Sequence, residues 1–153
     1  MSARNNAVEL GKLLDRYVDR RVVVLGGTCL GKSTLVRQIP SAVDMDAVLF
    51  PQLSAEETAL VCQSPWTYEI GAKMTKLARE WVKVEPGRPV FGTVVLDADM
   101  LVHLTISDEL LQERTAARNV SFEDAKRMHE YIYANARNSG LPYMEFKVTE
   151  NGV

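Results

Sequence analysis

The chain carries one run of residues whose types and spacing imply chemistry: Gly26-Gly27-Thr28-Cys29-Leu30-Gly31-Lys32-Ser33-Thr34, the pattern G-x-x-x-x-G-K-[ST]. Glycines at both ends of such a loop let the backbone curl until successive N–H groups point inward, where they meet phosphate oxygens. A helix opening at the end of the loop adds its partial positive charge. Lys32 is then placed to reach the β- and γ-phosphates of a nucleoside triphosphate, and the Ser33 hydroxyl to ligate Mg²⁺. Cys29 reads as a small filler of the loop; the alternative is a thiol made reactive by neighbouring N–H groups.

A loop of this kind works only if a strand delivers the chain to it and a helix carries it away. Val22-Val23-Val24-Leu25 is an apolar strand immediately before the loop, and Leu35-Val36 opens the helix after it, which Pro40 stops. Upstream, Ala7, Leu10, Leu14 and Tyr17 share one helical stripe, predicting an amphipathic helix that packs on the sheet. Downstream, Ala42 to Asp46 reads as a second strand ending in carboxylates. Ser54-Ala55-Glu56-Glu57 is a capping-box start of a helix through Cys62, and Ile70, Met74, Leu77 and Trp81 mark the next helix after Pro65. Val90 to Leu96 is a third strand, interrupted by Gly92, and Met100 to Ile106 a fourth, apolar on both faces. Ser107 caps a helix through Arg114, and Ser121 starts another that reaches Ser139-Gly140. Tyr143 to Val148 alternates apolar and charged residues, as an edge strand with one wet face does. Strands alternating with helices predict an α/β fold, a three-layer sandwich around a five-stranded parallel sheet, with the ligand beyond the carboxyl ends of the strands.

At 153 residues the chain has the length of a single domain, 1–153. Its net charge of −2 offers no basic surface for a polyanion, so no nucleic-acid partner is expected. No apolar run is long enough for a membrane span, and Met1-Ser2-Ala3-Arg4-Asn5-Asn6 lacks the apolar core of a secretory leader; the expected location is cytoplasmic. Cys29 and Cys62 have neither metal spacing nor a pairing pattern.

Three further features line up behind the loop: Asp44-Met45-Asp46 at the end of the second strand, Leu110-Leu111-Gln112-Glu113-Arg114 on the helix after the fourth, and Arg118 one turn later. In this order the chain resembles the small P-loop kinases, the group of shikimate, gluconate, adenylate and nucleoside kinases, over nearly its whole length. The resemblance implies a P-loop NTPase fold of the nucleotide-kinase kind and an ATP- and Mg-dependent phosphotransferase. It implies that Asp46 faces the acceptor hydroxyl, Asp44 lies near the metal, Arg114 stacks on the base, and Arg118, in a lid at about 115–123, swings over the transferring phosphoryl group. Lys32, Asp46 and Arg118 are thus the implied catalytic set. Two acidic residues at i and i+2 on a strand point the same way, so both aspartates are expected to face the cleft. Where this family has a C-terminal covering helix, the helix from Ala7 is expected to take its place here, and Thr149-Glu150-Asn151 would serve as the base-binding loop.

The alternatives are a nucleoside monophosphate kinase and a non-catalytic ATP-binding regulator. A guanine switch lacks its Asn-Lys-x-Asp string, and a polynucleotide kinase its basic groove. Between Ala47 and Ile70 there is no Lys or Arg to hold an acceptor phosphate, whereas Phe50, Trp66, Tyr68 and Glu69 suit a neutral small-molecule acceptor such as a nucleoside or sugar. Those aromatics read equally well as core. His103, mid-strand, reads as a core histidine bonded to a neighbour, and Asp97 as a reserve for the metal shell.

Overall fold

The structure, a computed structural model, describes residues 5–63 and 65–149. Thirteen segments alternate as expected of an α/β chain. They are α1 (Asn6–Asp15), β1 (Val22–Leu25), α2 (Lys32–Gln38), β2 (Val43–Asp44), α3 (Met45–Leu49), a 3₁₀ turn (Phe50–Gln52) and α4 (Ala55–Val61), followed by α5 (Tyr68–Trp81), β3 (Val90–Gly92), β4 (Met100–Thr105), α6 (Asp108–Ala117), α7 (Phe122–Asn138) and β5 (Tyr143–Lys147). All five strands are parallel, in the order β2-β3-β1-β4-β5. β1 lies in the middle with every residue buried, which its unbroken Val/Leu sequence requires. β5 is the edge anticipated from its alternation.

Helices cover both faces. Val22, Val24, Phe91 and Val102 pack against Leu10 and Leu14 of α1 and Leu35 of α2. On the other face Val23, Leu25, Val90 and Leu101 meet Met45 and Leu49 of α3, Leu77 and Ala78 of α5, and Ile132 and Ala136 of α7. Leu10 is completely buried, and removing such a side chain from water is worth about 2 kcal/mol. α1 is therefore an integral layer, as expected of a helix that covers the sheet.

Two strand ends differ from expectation. β2 stops at Asp44, and Met45 to Leu49 is helical, because the Asp44 side chain accepts from the backbone N–H of Asp46 at 3.1 Å and caps α3. The two aspartates thus do not share a strand face; Asp46 lies in the first turn of a helix. β3 stops at Gly92, whose carbonyl accepts from Gly26 N–H at 3.0 Å. A Cβ built there would lie 2.6 Å from Met45 Sδ, so α3 seats itself against a strand end that only glycine allows.

The segment expected as a lid, 115–123, is mostly helical. α6 runs on to Ala117, with Thr115 buried and its hydroxyl donating to Leu111 O at 2.9 Å, and α7 begins at Phe122. Only 118–121 links them, and a Lys126–Asp108 ion pair of 2.7 Å ties the two helices.

Candidate functional site

The Gly26–Thr34 loop leaves the carboxyl end of β1 and turns directly into α2. Two residues take left-handed backbone, Gly31 at φ 82° and Cys29 at φ 67°. The first is what the glycine is there to permit. The second is an uncommon conformation for a residue with a Cβ, maintained because Cys29 is buried with Leu111 of α6 and Ala125 of α7.

The loop curls around a cavity of about 430 Å³ whose walls hold Lys32, Ser33, Asp46, Thr93, Arg118 and Met128. Four candidate site residues thus converge from α2, α3 and the C-cap of α6. Lys32 donates through Nζ to the carbonyls of Gly26 and Gly27, the latter at 2.8 Å. Burial lowers its pKa to about 8, against the opposing pull of Asp46, Asp44 and Cys29. Burial likewise raises the carboxyl of Asp46, helped by Asp44 and opposed by Lys32. Asp44 spends its carboxylate on the α3 cap. Among the described residues no group of three or more His, Cys, Asp or Glu side chains could hold a metal by itself. Ser33 and Asp46 nonetheless offer hard oxygen donors on one cavity wall, a set that suits Mg²⁺, which keeps waters and takes phosphate oxygens as its other ligands.

Arg114 and Arg118 both approach the loop at Cys29. Arg114 donates to Cys29 O at 3.2 Å and Thr149 O at 3.4 Å, and Arg118 Nη1 lies 3.9 Å from Cys29 Sγ. Both line a second cavity of about 200 Å³ with Asn6, Leu30, Thr34 and Leu35. Its wall is closed by Asn6, whose side chain donates to Thr149 O at 3.0 Å and accepts from Thr149 N–H at 3.2 Å. Of the expected base-binding loop, Glu150 and Asn151 lie outside the described residues, as do Met1 to Arg4 of the segment read for a leader.

Trp66 and Tyr68 meet edge to face at 5.8 Å, and Tyr131 of α7 joins them, 5.2 Å from Trp66 and stacked on Tyr68 at 5.4 Å. Tyr68 remains 55 % exposed, so the group is not simply core. Trp66 and Tyr131 share a small cleft with Thr93 and Met128, the residues that also line the loop cavity.

Two assignments are corrected. Asp97 lies at the amino end of β1, exposed and paired with Arg21 at 3.2 Å, far from any metal shell at the loop. His103 is buried but not bonded as expected: its Nδ1 has no partner among the described residues, and its ring stacks on Tyr133 at 5.2 Å. His129 and Tyr131 carry no sequence signal. His129 Nε2 donates to Thr28 O at 2.9 Å, and its ring fits against the loop so closely that a Cβ on Gly27 would come within 2.3 Å of it. Burial lowers the pKa of His129, opposed by that hydrogen bond.

Neither models of known families nor curated proteins match this chain. No helix among the described residues is long and apolar enough to cross a membrane.

Proposed function

We propose that the chain binds ATP in the Gly26–Thr34 loop and transfers its γ-phosphate to a hydroxyl of a small neutral molecule. The observation that supports this best is the convergence of Lys32, Ser33, Asp46 and Arg118 on one cavity bounded by the loop backbone. Phosphoryl transfer asks for positioning and charge compensation more than for covalent chemistry, and these side chains are suited to both. Lys32 exchanges its two loop carbonyls for phosphate oxygens. Arg118 compensates charge on the transferring group without a large movement, since it already lines the cavity. Asp46 orients the acceptor hydroxyl; as the oxygen forms its bond to the γ-phosphorus and the bond to ADP breaks, the carboxylate takes the proton. A raised carboxyl pKa suits that late transfer. Mg²⁺ bound with ATP would supply further charge compensation, and the Ser33 hydroxyl would hold it.

Trp66, Tyr68 and Tyr131 form the acceptor platform in this reading. At this platform Arg127 donates to Trp66 O at 3.4 Å but is already paired with Asp124 at 2.8 Å, which leaves it poorly placed to hold a monophosphate acceptor. The test is transfer of labelled γ-phosphate from ATP to a panel of nucleosides, sugars, sugar acids and nucleoside monophosphates. Transfer to a neutral alcohol is expected. Preference for a monophosphate would reassign the acceptor, and tight ATP binding with no transfer would make the chain a nucleotide-binding regulator.

A further inference from the structure

Behind the loop lies a third cavity, of about 300 Å³, between β4, β5 and α7, and its lining is too polar to be a packing defect. His103 of β4 and Glu145 of β5 are register partners and so face the same side of the sheet. Lys126, His129, Glu130 and Tyr133 come from one face of α7, at helical spacings of three and four.

We propose that this cavity is a second small-molecule site that takes an organic ammonium ion, and that its occupant is sensed by the Gly26–Thr34 loop through His129. The charge balance selects the ligand. Glu130 and Glu145 have no ion pair among the described residues, whereas Lys126 is already neutralised by Asp108 outside the cavity. A bare metal ion is disfavoured, because no sufficient donor group converges among the described residues. An ammonium offers N–H donors, and His103 offers an acceptor. The residue is 7 % exposed, and its Nδ1 has no hydrogen-bond partner among the described residues, a cost that a ligand donor would relieve. Nδ1 itself is buried, so for it to meet the ligand the ring makes a half-turn about Cβ–Cγ, which exchanges Nδ1 with Cδ2. Burial keeps the imidazole neutral, and only the neutral ring can accept. The stacked His103–Tyr133 pair lines the cavity and would meet the alkyl part of the ligand.

His129 belongs to this cavity and to the loop at once. It lines the one and donates to Thr28 O of the other, so an occupant that shifts the ring alters the donor restraining the loop. The coupling rests on the proposal that the loop binds ATP; the amine site does not.

The test uses the whole chain, with putrescine and ethanolamine as probes and acetate, phosphate and sodium chloride as controls at matched ionic strength. Both amines are expected to raise the melting temperature saturably. Glu145→Gln and Glu130→Gln should each weaken putrescine binding at least tenfold. Saturating putrescine should change the ATP dissociation constant at least threefold in the parent. In His129→Asn that change should disappear at a putrescine concentration that saturates the variant, whose putrescine affinity is measured separately because His129 also lines the cavity. No saturable shift, an equal shift with the controls, or an unaltered Glu145→Gln would overturn the site. Amine binding without an effect on ATP affinity in the parent would overturn the coupling. Amine binding in a chain that binds no ATP would retain the site and remove the nucleotide reading instead.

Discussion

The molecule contains the same three-residue pattern at opposite ends of its sheet. Asp44-Met45-Asp46 and Asp97-Ala98-Asp99 each place two carboxylates around a buried apolar residue. At the amino end, Arg21 bonds both aspartates, at 3.2 and 3.1 Å, and its backbone N–H donates to Asp99 as well. Those bonds hold Asp99 below the usual carboxylate range although its side chain is exposed. At the carboxyl end, Asp44 serves a helix cap, and Asp46 has no ion pair among the described residues, although Lys32 shares its cavity. Lys32 turns to backbone carbonyls, and burial pushes both groups toward neutrality. Charges that neutralise one another are architecture. Charges held close but unneutralised are costly to fold, and that cost is recovered when a ligand supplies the missing partner.

Substitutions at the two ends should therefore act in opposite senses. Asp46→Asn carries the largest expected effect: transfer to the acceptor falls about 100-fold, ~2.7 kcal/mol in the barrier, while ATP affinity holds. Its melting temperature should rise, because the raised carboxyl pKa means that folding disfavours the charge. By the same sign, the parent loses stability as pH rises from the ordinary carboxyl pKa through the raised one. A variant that is both active and less stable would erase the contrast between the ends.

Lys32→Ala should weaken ATP binding at least tenfold, ~1.4 kcal/mol, by calorimetry. The parent's ATP affinity should also fall as pH rises through about 8, where Lys32 loses its proton. The empty protein has the reverse slope: between about 8 and 10.5 the unfolded chain holds a proton that the folded one has released, so stability rises with pH. A flat affinity profile up to pH 9.5 would show that the ammonium does not meet phosphate. Arg118→Ala should lower turnover about tenfold, ~1.4 kcal/mol, with a smaller change in ATP affinity; equal losses would make it a binding contact only. Asp99→Asn should do least, lowering the melting temperature slightly at low salt, and not at high salt, with ATP binding unchanged.

The place of the Gly26–Thr34 loop between β1 and α2 was legible because its signals are local: nine consecutive residues mark it, and an apolar strand precedes them. The order of strands and helices was legible for the same reason, since caps such as Ser54, Ser107 and Ser121 act within four residues. Asp46 shows where locality misleads. A two-residue strand followed by a capped helix reads like one longer strand, and the Asp44 side chain decides between them only through its bond to Asp46 N–H. His129 was illegible in principle, because it meets Thr28 across 101 residues and nothing near either position announces the other. Asp97 misled for the same reason, its partner Arg21 being 76 residues away.

The clasp between Asn6 and Thr149 has a temporal consequence. These residues are 143 apart, and their bonds hold Asn6 in the wall of the cavity beside Arg114 and Arg118. A chain still emerging from the ribosome can present Gly26–Thr34 long before Thr149 exists to meet Asn6. Contacts of such separation bear the largest loop-closure entropy and are expected to form late. The part of the molecule beside the loop is thus completed by a residue synthesised well after the loop itself, and a partial chain carries an open-sided loop until it arrives.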